Sequence, residues 1–179
     1  MTFFNSLDVP QFTARDAFEA AGIDSETFRN WTSRRQIVAF GRSDRPAGGQ
    51  GQRHLLTLRR LIYLAVIAAL VRVGLPVAKA AQAALQFTDG SPNGGGWAGE
   101  GEAGRLPGEH FPEGDTLLVI RPDEEFAKVK NVRNPADLAE LVDQDEAVVL
   151  VNLTRLELLI RARLGIPGDV ERAAEGVTA

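Results

Sequence analysis

With 179 residues, 44% of them hydrophobic and 25% charged, the chain falls in the globular range and carries enough core for one ordinary domain or two small ones. It has no cysteine, and its two histidines, His54 and His110, lie far apart, which excludes disulfides, thiolate zinc sites, iron–sulfur clusters, a cysteine nucleophile and His-pair metal motifs. The net charge of −4 is unevenly divided: residues 1–88 hold 11 Lys+Arg against 6 Asp+Glu, a net of +5, and residues 89–179 hold 9 against 18, a net of −9.

The chain opens MTFFNSLDVP, with no basic start leading into an apolar run, so no secretory signal is read there and a cytoplasmic protein is expected. Thr13 then precedes ARDAFEAAG (14–22) as the N-cap of a first helix, with Asp16 completing an approximate capping box and Gly22 ending it. Asp24 caps a second helix, SETFRNWTSRR (25–35). A short turn between two helices, held by a glycine and an N-cap residue, is the pattern of a helix-turn-helix. Phe28 and Trp31 are three apart and share the inward face, which leaves Ser25, Arg29, Asn30 and Ser33 outward.

Next come QIVAFGR (36–42), the turn-rich SDRPAGGQG (43–51) and QRHLL (52–56), read together as a β-hairpin with a long loop. Residues 28–60 carry eight arginines, at 29, 34, 35, 42, 45, 53, 59 and 60, and a single acid, Asp44. That is the footprint of a polyanion partner. Thr57 caps a third helix, LRRLIYLAVIAALVRVG (58–74), apolar on nearly every side from Leu61 to Val71. Such a helix is buried all round, although 11 apolar residues are too few to cross a bilayer, which takes about 20. No membrane partner is expected. Pro76 opens a fourth helix, PVAKAAQAALQF (76–87).

The order helix, turn, helix, hairpin, helix, helix resembles the winged helix-turn-helix domain of the MerR type, named for mercury-resistance regulators. The matching residues are FTARDAFEAAGIDSETFRNW (12–31), Gln52-Arg53-His54, and RVGLPVAKAAQAAL (72–85). The resemblance implies a second helix laid in the DNA major groove and a wing on the flanking backbone. By position it carries Thr27, Arg29 and Asn30 to the helix contacts and Arg53 to a wing contact with phosphate. Arg34, Arg35 and Arg42 join them from charge and location, and His54 is read as either a satisfied wing or core residue or a DNA ligand. The chain departs from ligand-responsive members in having no dimerising coiled coil after the fourth helix and no cysteine, so metal sensing and a metal cofactor are not expected.

Nine of the 18 glycines fall between Gly90 and Gly114, and residues 89–114 are read as a flexible Gly/Pro-rich linker. Trp97 and Phe111 inside it are either stray aromatics or pins to a domain surface. Beyond it, residues 115–165 read as a small α/β module: a strand DTLLVI, a helix capped by Asn134 with Pro135 at its first position, a strand EAVVLVNL, and a helix LTRLELLIRARL. Its acids (Asp123, Glu124, Glu125, Asp143, Asp145 and Glu146) read as a solvated face, since no His, Lys or Ser constellation accompanies them. Leu153, Leu156, Ile160 and Leu164 form one stripe of the last helix, expected to hold a homodimer, and the acidic module is open to a protein partner. Residues 166–179 read as a flexible tail.

These expectations converge on a mostly α chain with a small β component that binds double-stranded DNA as a homodimeric transcriptional regulator. A phage or mobile-element factor of excisionase or packaging type and a protein-interaction adaptor stand as alternatives. No nucleophile–base pair or phosphate loop is visible, so no enzyme, catalytic residue or cofactor is expected.

Overall fold

A computed structural model describes residues 6–34, 43–45, 53–90, 105–122, 124–143 and 147–166. The described chain is mixed α/β. In order it comprises α1 (Ala14–Ala21), α2 (Ser25–Arg29), α3 (Leu58–Arg72), α4 (Val77–Thr88), β1 (Asp115–Ile120), β2 (Lys128–Val132), α5 (Pro135–Asp143), β3 (Val149–Asn152) and α6 (Leu153–Leu164). A π-helical turn, Asn30–Arg34, continues directly from α2.

The caps set the ends of α1 and α2. The Asp16 backbone N–H donates to Thr13 Oγ1 at 3.4 Å and the Thr13 N–H donates to the Asp16 carboxylate at 2.6 Å, a reciprocal capping box. Gly22 ends α1 at φ 64°, in the left-handed region that favours glycine, and the Gly22 and Ile23 N–H groups both donate to the Phe18 carbonyl. Two residues later the Asp24 carboxylate accepts the Thr27 N–H at 2.6 Å and starts α2.

Helix α3 is the central pillar. Eleven of its residues are buried, among them every residue from Leu61 to Ala68, and it packs against α1, α4 and α6. Its polar start is satisfied internally. Asp44 accepts the Thr57 N–H at 2.9 Å and Arg60 Nε at 3.2 Å, and the Arg60 guanidinium lies over the Tyr63 ring. A buried charge held in this way keeps its partners and its hydrogen bonds.

The sheet is antiparallel throughout, in the order β2-β1-β3. Sequence reasoning expected two strands here. The middle of the expected module, KVKNV, forms β2 as well, paired Leu118↔Val129 and Thr116↔Asn131. Its two lysines and asparagine dilute the apolar signal, and the strand is held by its ladder with β1. On the face shared by Leu118, Ile120, Val129, Val149 and Val151 the sheet lies against the helices.

One apolar cluster runs through both halves of the chain. It joins Phe12, Ala17, Leu61, Leu64 and Phe87 to Leu118, Ile120, Leu153, Ile160 and Ile166. The two expected modules share this cluster: a two-helix, three-strand unit has too little core of its own, and this one completes its burial on α1 and α3.

The structure also differs from the expected linker over 105–114. Arg105 is buried and its guanidinium donates to the carbonyls of Phe87 (3.1 Å) and Gln86 (3.0 Å), at the end of α4. These carbonyls have no partner within the helix, so a cation is a fitting cap. Phe111 is buried too and its N–H donates to Thr116 Oγ1 at 3.0 Å, so of the two aromatics it is a pin. Trp97 and residues 91–104 lie outside the described residues. The expected tail is shortened by one residue, because Ile166 folds back on Gly165 (φ 63°) and buries in the core.

Candidate nucleic-acid interface

The α1–α2 unit is braced by aromatics. The Phe18 and Phe28 rings meet edge to face at 5.3 Å between centroids, and Trp31 is only 6% exposed. That leaves Ser25, Arg29 and Ser33 exposed along the outer side of α2 and the π-helical turn, with Asn30 half-buried, as the spacing of Phe28 and Trp31 implies.

The expected residues are not equivalent. Arg29 is exposed in the last turn of α2, with nothing acidic at the fourth residue beyond it, which is Ser33. Thr27 is half-buried, and its backbone N–H is spent on the Asp24 cap. The Thr27 N–H also holds the Asp24 carboxyl below the usual aspartate range. With the exposed Glu26, this makes the start of α2 acidic and its end basic. Arg34 closes the π-helical turn. Arg35 and Arg42 lie outside the described residues, as do the apolar run 36–41 and the loop 46–52.

Arg53 and His54 are exposed immediately before the segment Leu55–Leu56. Leu55 exchanges both backbone hydrogen bonds with Arg45, at 2.8 and 2.9 Å, and Leu56 pairs with Phe12 just ahead of α1. The strand expected to pair with 52–56, residues 36–42, lies outside the described residues; within them Arg45 pairs with Leu55 and closes the loop between them. Helix α1 is the element shared by both basic segments. Phe12 at its start holds the 53–56 segment, and Phe18 in its middle holds α2.

The eight-arginine run is smaller as a free surface than as a sequence. Arg59 is spent on Asp8, at 2.7 and 2.8 Å, and on the carbonyls of Thr88 and Pro107. This pairing holds the Asp8 carboxyl below its usual range and raises the Arg59 guanidinium. Arg60 is buried on Asp44. Among the described residues of the run, Arg29, Arg45 and Arg53 are exposed.

Two cations that sequence reasoning did not connect to this region also reach it. A Cβ placed on Gly22 would lie 3.4 Å from Arg163 Nη1 and 3.9 Å from Arg72 Nη1. Both arginines sit in the last turns of their helices, which is visible in the sequence; their meeting at the α1–α2 turn depends on α6 packing on α1 and is not.

The expected dimer stripe is corrected. Leu153 and Ile160 are both 0% exposed in the single chain, and Leu156 and Leu164 pack against the same cluster. α1 and α3 cover the stripe. The residues of α6 that remain exposed are Arg155, Leu158, Leu159, Ala162 and Arg163.

Glu157, on α6, is buried between two cationic or protonatable partners. It lies 2.7 Å from His110 Nε2 and accepts Arg161 at 2.7 and 2.6 Å. No helix among the described residues is long and apolar enough to cross a membrane. No protein-family model matches the chain, and no curated protein matches it.

Proposed function

We propose that the chain binds double-stranded DNA through the α1–α2 unit and the basic loop closed by Arg45 and Leu55, and that it acts as a transcriptional regulator on paired half-sites. The observation that carries this reading is the outer face of α2. It presents Ser25, Arg29 and Ser33 to solvent while Phe28 and Trp31 anchor it from behind. A braced helix with an exposed arginine and small polar neighbours has the shape and donors that the major groove accepts. Arg45 and Arg53, at the closed end of a loop beside the start of α1, supply phosphate-neutralising charge that reads no sequence. One unit of this size offers few base contacts, and two copies on paired half-sites supply the rest. The α6 stripe does not make that pairing, because it is already covered.

The test is binding of the full chain to labelled duplexes across a salt series. Affinity is expected to fall steeply and linearly with the logarithm of salt concentration. Arg53→Ala is expected to weaken binding to every sequence and to reduce that slope by about one. Arg29→Ala is expected to narrow the gap between selected and random sites by about 1–3 kcal/mol. Affinity that ignores salt, or an Arg53 variant with the parent slope, overturns the reading.

A further inference from the structure

Away from α2, the turn between α3 and α4 and one end of the sheet flank a hollow of about 230 Å³. Leu75, just after the Gly74 turn, forms one wall, Ile120 at the end of β1 a second, and Val148 and Val149 at the entry to β3 a third. Ile120 and Val149 are register partners, so these walls come from adjoining strands. Among the described residues the charged side chains lining it are Lys79, in the first turn of α4, and Arg121, and no carboxylate of the described residues lines it.

The two cations differ. Arg121 already donates to the Leu141 carbonyl at 3.2 Å and has Glu124 at 3.9 Å. Lys79 is half-buried and makes no ion pair among the described residues. An ammonium partly withdrawn from water beside apolar walls gains from an anion that carries apolar surface of its own. Size narrows the class further. An apolar cavity of about 150 Å³ accepts a benzene ring, so this hollow has room for one ring or a short chain together with a carboxylate. Inorganic phosphate offers nothing to lay against Leu75, Ile120 and Val148.

We propose that this hollow is a binding site for a small apolar monocarboxylate, with Lys79 as the group that meets the carboxylate. The site is independent of the DNA reading. Its walls come from α4 on one side and the sheet on the other, so an occupant touches both halves of the chain at once.

The experiment is a titration of the full-length, ¹⁵N-labelled protein with benzoate, and in parallel with benzamide, which keeps the ring and removes the charge. Saturable shifts are expected at residues 75–79, 120–121 and 147–149, with benzamide at least tenfold weaker. Lys79→Gln is expected to weaken benzoate at least tenfold and to leave benzamide unchanged. Val148→Phe, which fills the hollow, is expected to abolish both. Should the filled variant fail to fold, the lysine variant still decides. Equal affinity for acid and amide, an unchanged Lys79→Gln variant, or shifts that never saturate and spread over the exposed arginines each overturn the proposal.

Discussion

Arg163, in the last turn of α6, donates from Nη1 to the carbonyl of Ala20, in the last turn of α1, at 2.9 Å. The residues are 143 positions apart, so the end of α6 caps the helix that leads into α2. A cation at a helix C-terminus satisfies an unpaired carbonyl and opposes the negative end of the dipole.

Residues 1–88 alone are therefore expected to fold poorly. They keep α1 to α4 but lose α6 and the sheet, which cover Ala17, Leu61 and Leu64 within one cluster. Thermal unfolding followed by near-UV circular dichroism checks this. A cooperative transition at the temperature of the full chain would show that the first four helices complete a core of their own. In the full chain, Arg163→Ala is expected to cost about 1 kcal/mol.

Limited trypsin digestion tests the packing of Arg105. Its backbone lies in a segment fixed by the guanidinium on Phe87 and Gln86 and by the Gly108 N–H, which donates to the Phe87 carbonyl at 2.8 Å. Burial pushes the guanidinium down to about 10, so it remains charged at neutral pH. Native protein is expected to resist cleavage after Arg105 while exposed sites such as Arg53 and Arg155 are cut. Arg105→Leu removes the guanidinium donors to the Gln86 and Phe87 carbonyls, leaving Phe87 with the Gly108 N–H, and is expected to cost about 2–3 kcal/mol and to open this segment to protease.

What the sequence disclosed depended on whether the signal was local. Thr13, Asp24, Thr57 and Asn134 precede helices whose caps they form or whose first turn they accept, since a cap is decided within four residues. The burial of α3 was legible for a similar reason: an all-apolar helix has no solvent face. The roles of Arg59, Arg60 and Arg105 were not legible, because each is set by a partner from 16 to 51 positions away. The stripe of α6 was visible as an apolar face, but periodicity shows only that a face is buried and not what buries it. At the candidate interface the exposure of Ser25, Arg29 and Ser33 followed from Phe28 and Trp31, whereas the half-burial of Asn30 did not, and Arg72 and Arg163 beside Gly22 required the tertiary packing.

Acid is expected to loosen the contact between α6 and the 105–114 segment. Burial pushes the Glu157 carboxyl up, but the hydrogen bonds and charges of His110 and Arg161 outweigh it and hold the carboxyl below its ordinary value of 4.5. A group whose folded value is depressed stabilises the fold above the unfolded value. That contribution is lost as pH falls through the folded one. The melting temperature should therefore decline as pH drops below about 4.5, with Asp8, depressed by Arg59, adding to the same limb. Glu157→Gln is expected to lower stability at pH 7 by about 1–3 kcal/mol and to flatten the acid limb. Parallel acid limbs in the two proteins would mean that Glu157 does not titrate differently on folding.

Ile160→Asp separates an interface role from a core role for the α6 stripe. At a subunit interface the change would yield folded monomers. Ile160 is fully buried in the single chain, in the cluster with Leu153, Ala17 and Leu61. A carboxylate there has no cation in place of the lost methyl groups, and it either remains charged in an apolar site or takes up a proton at a free-energy cost. The expected loss exceeds 4 kcal/mol, a large part of the stability of a domain this size. Ile160→Val, which keeps the shape and removes one methylene, is expected to cost only about 1 kcal/mol. Leu159→Asp, on the exposed side of the same helix, is expected to leave the melting temperature within about 1 kcal/mol of the parent. Thermal unfolding and sedimentation of all three variants decide the matter. An Ile160→Asp protein that melts like the parent but sediments as a smaller species would return the stripe to a subunit interface.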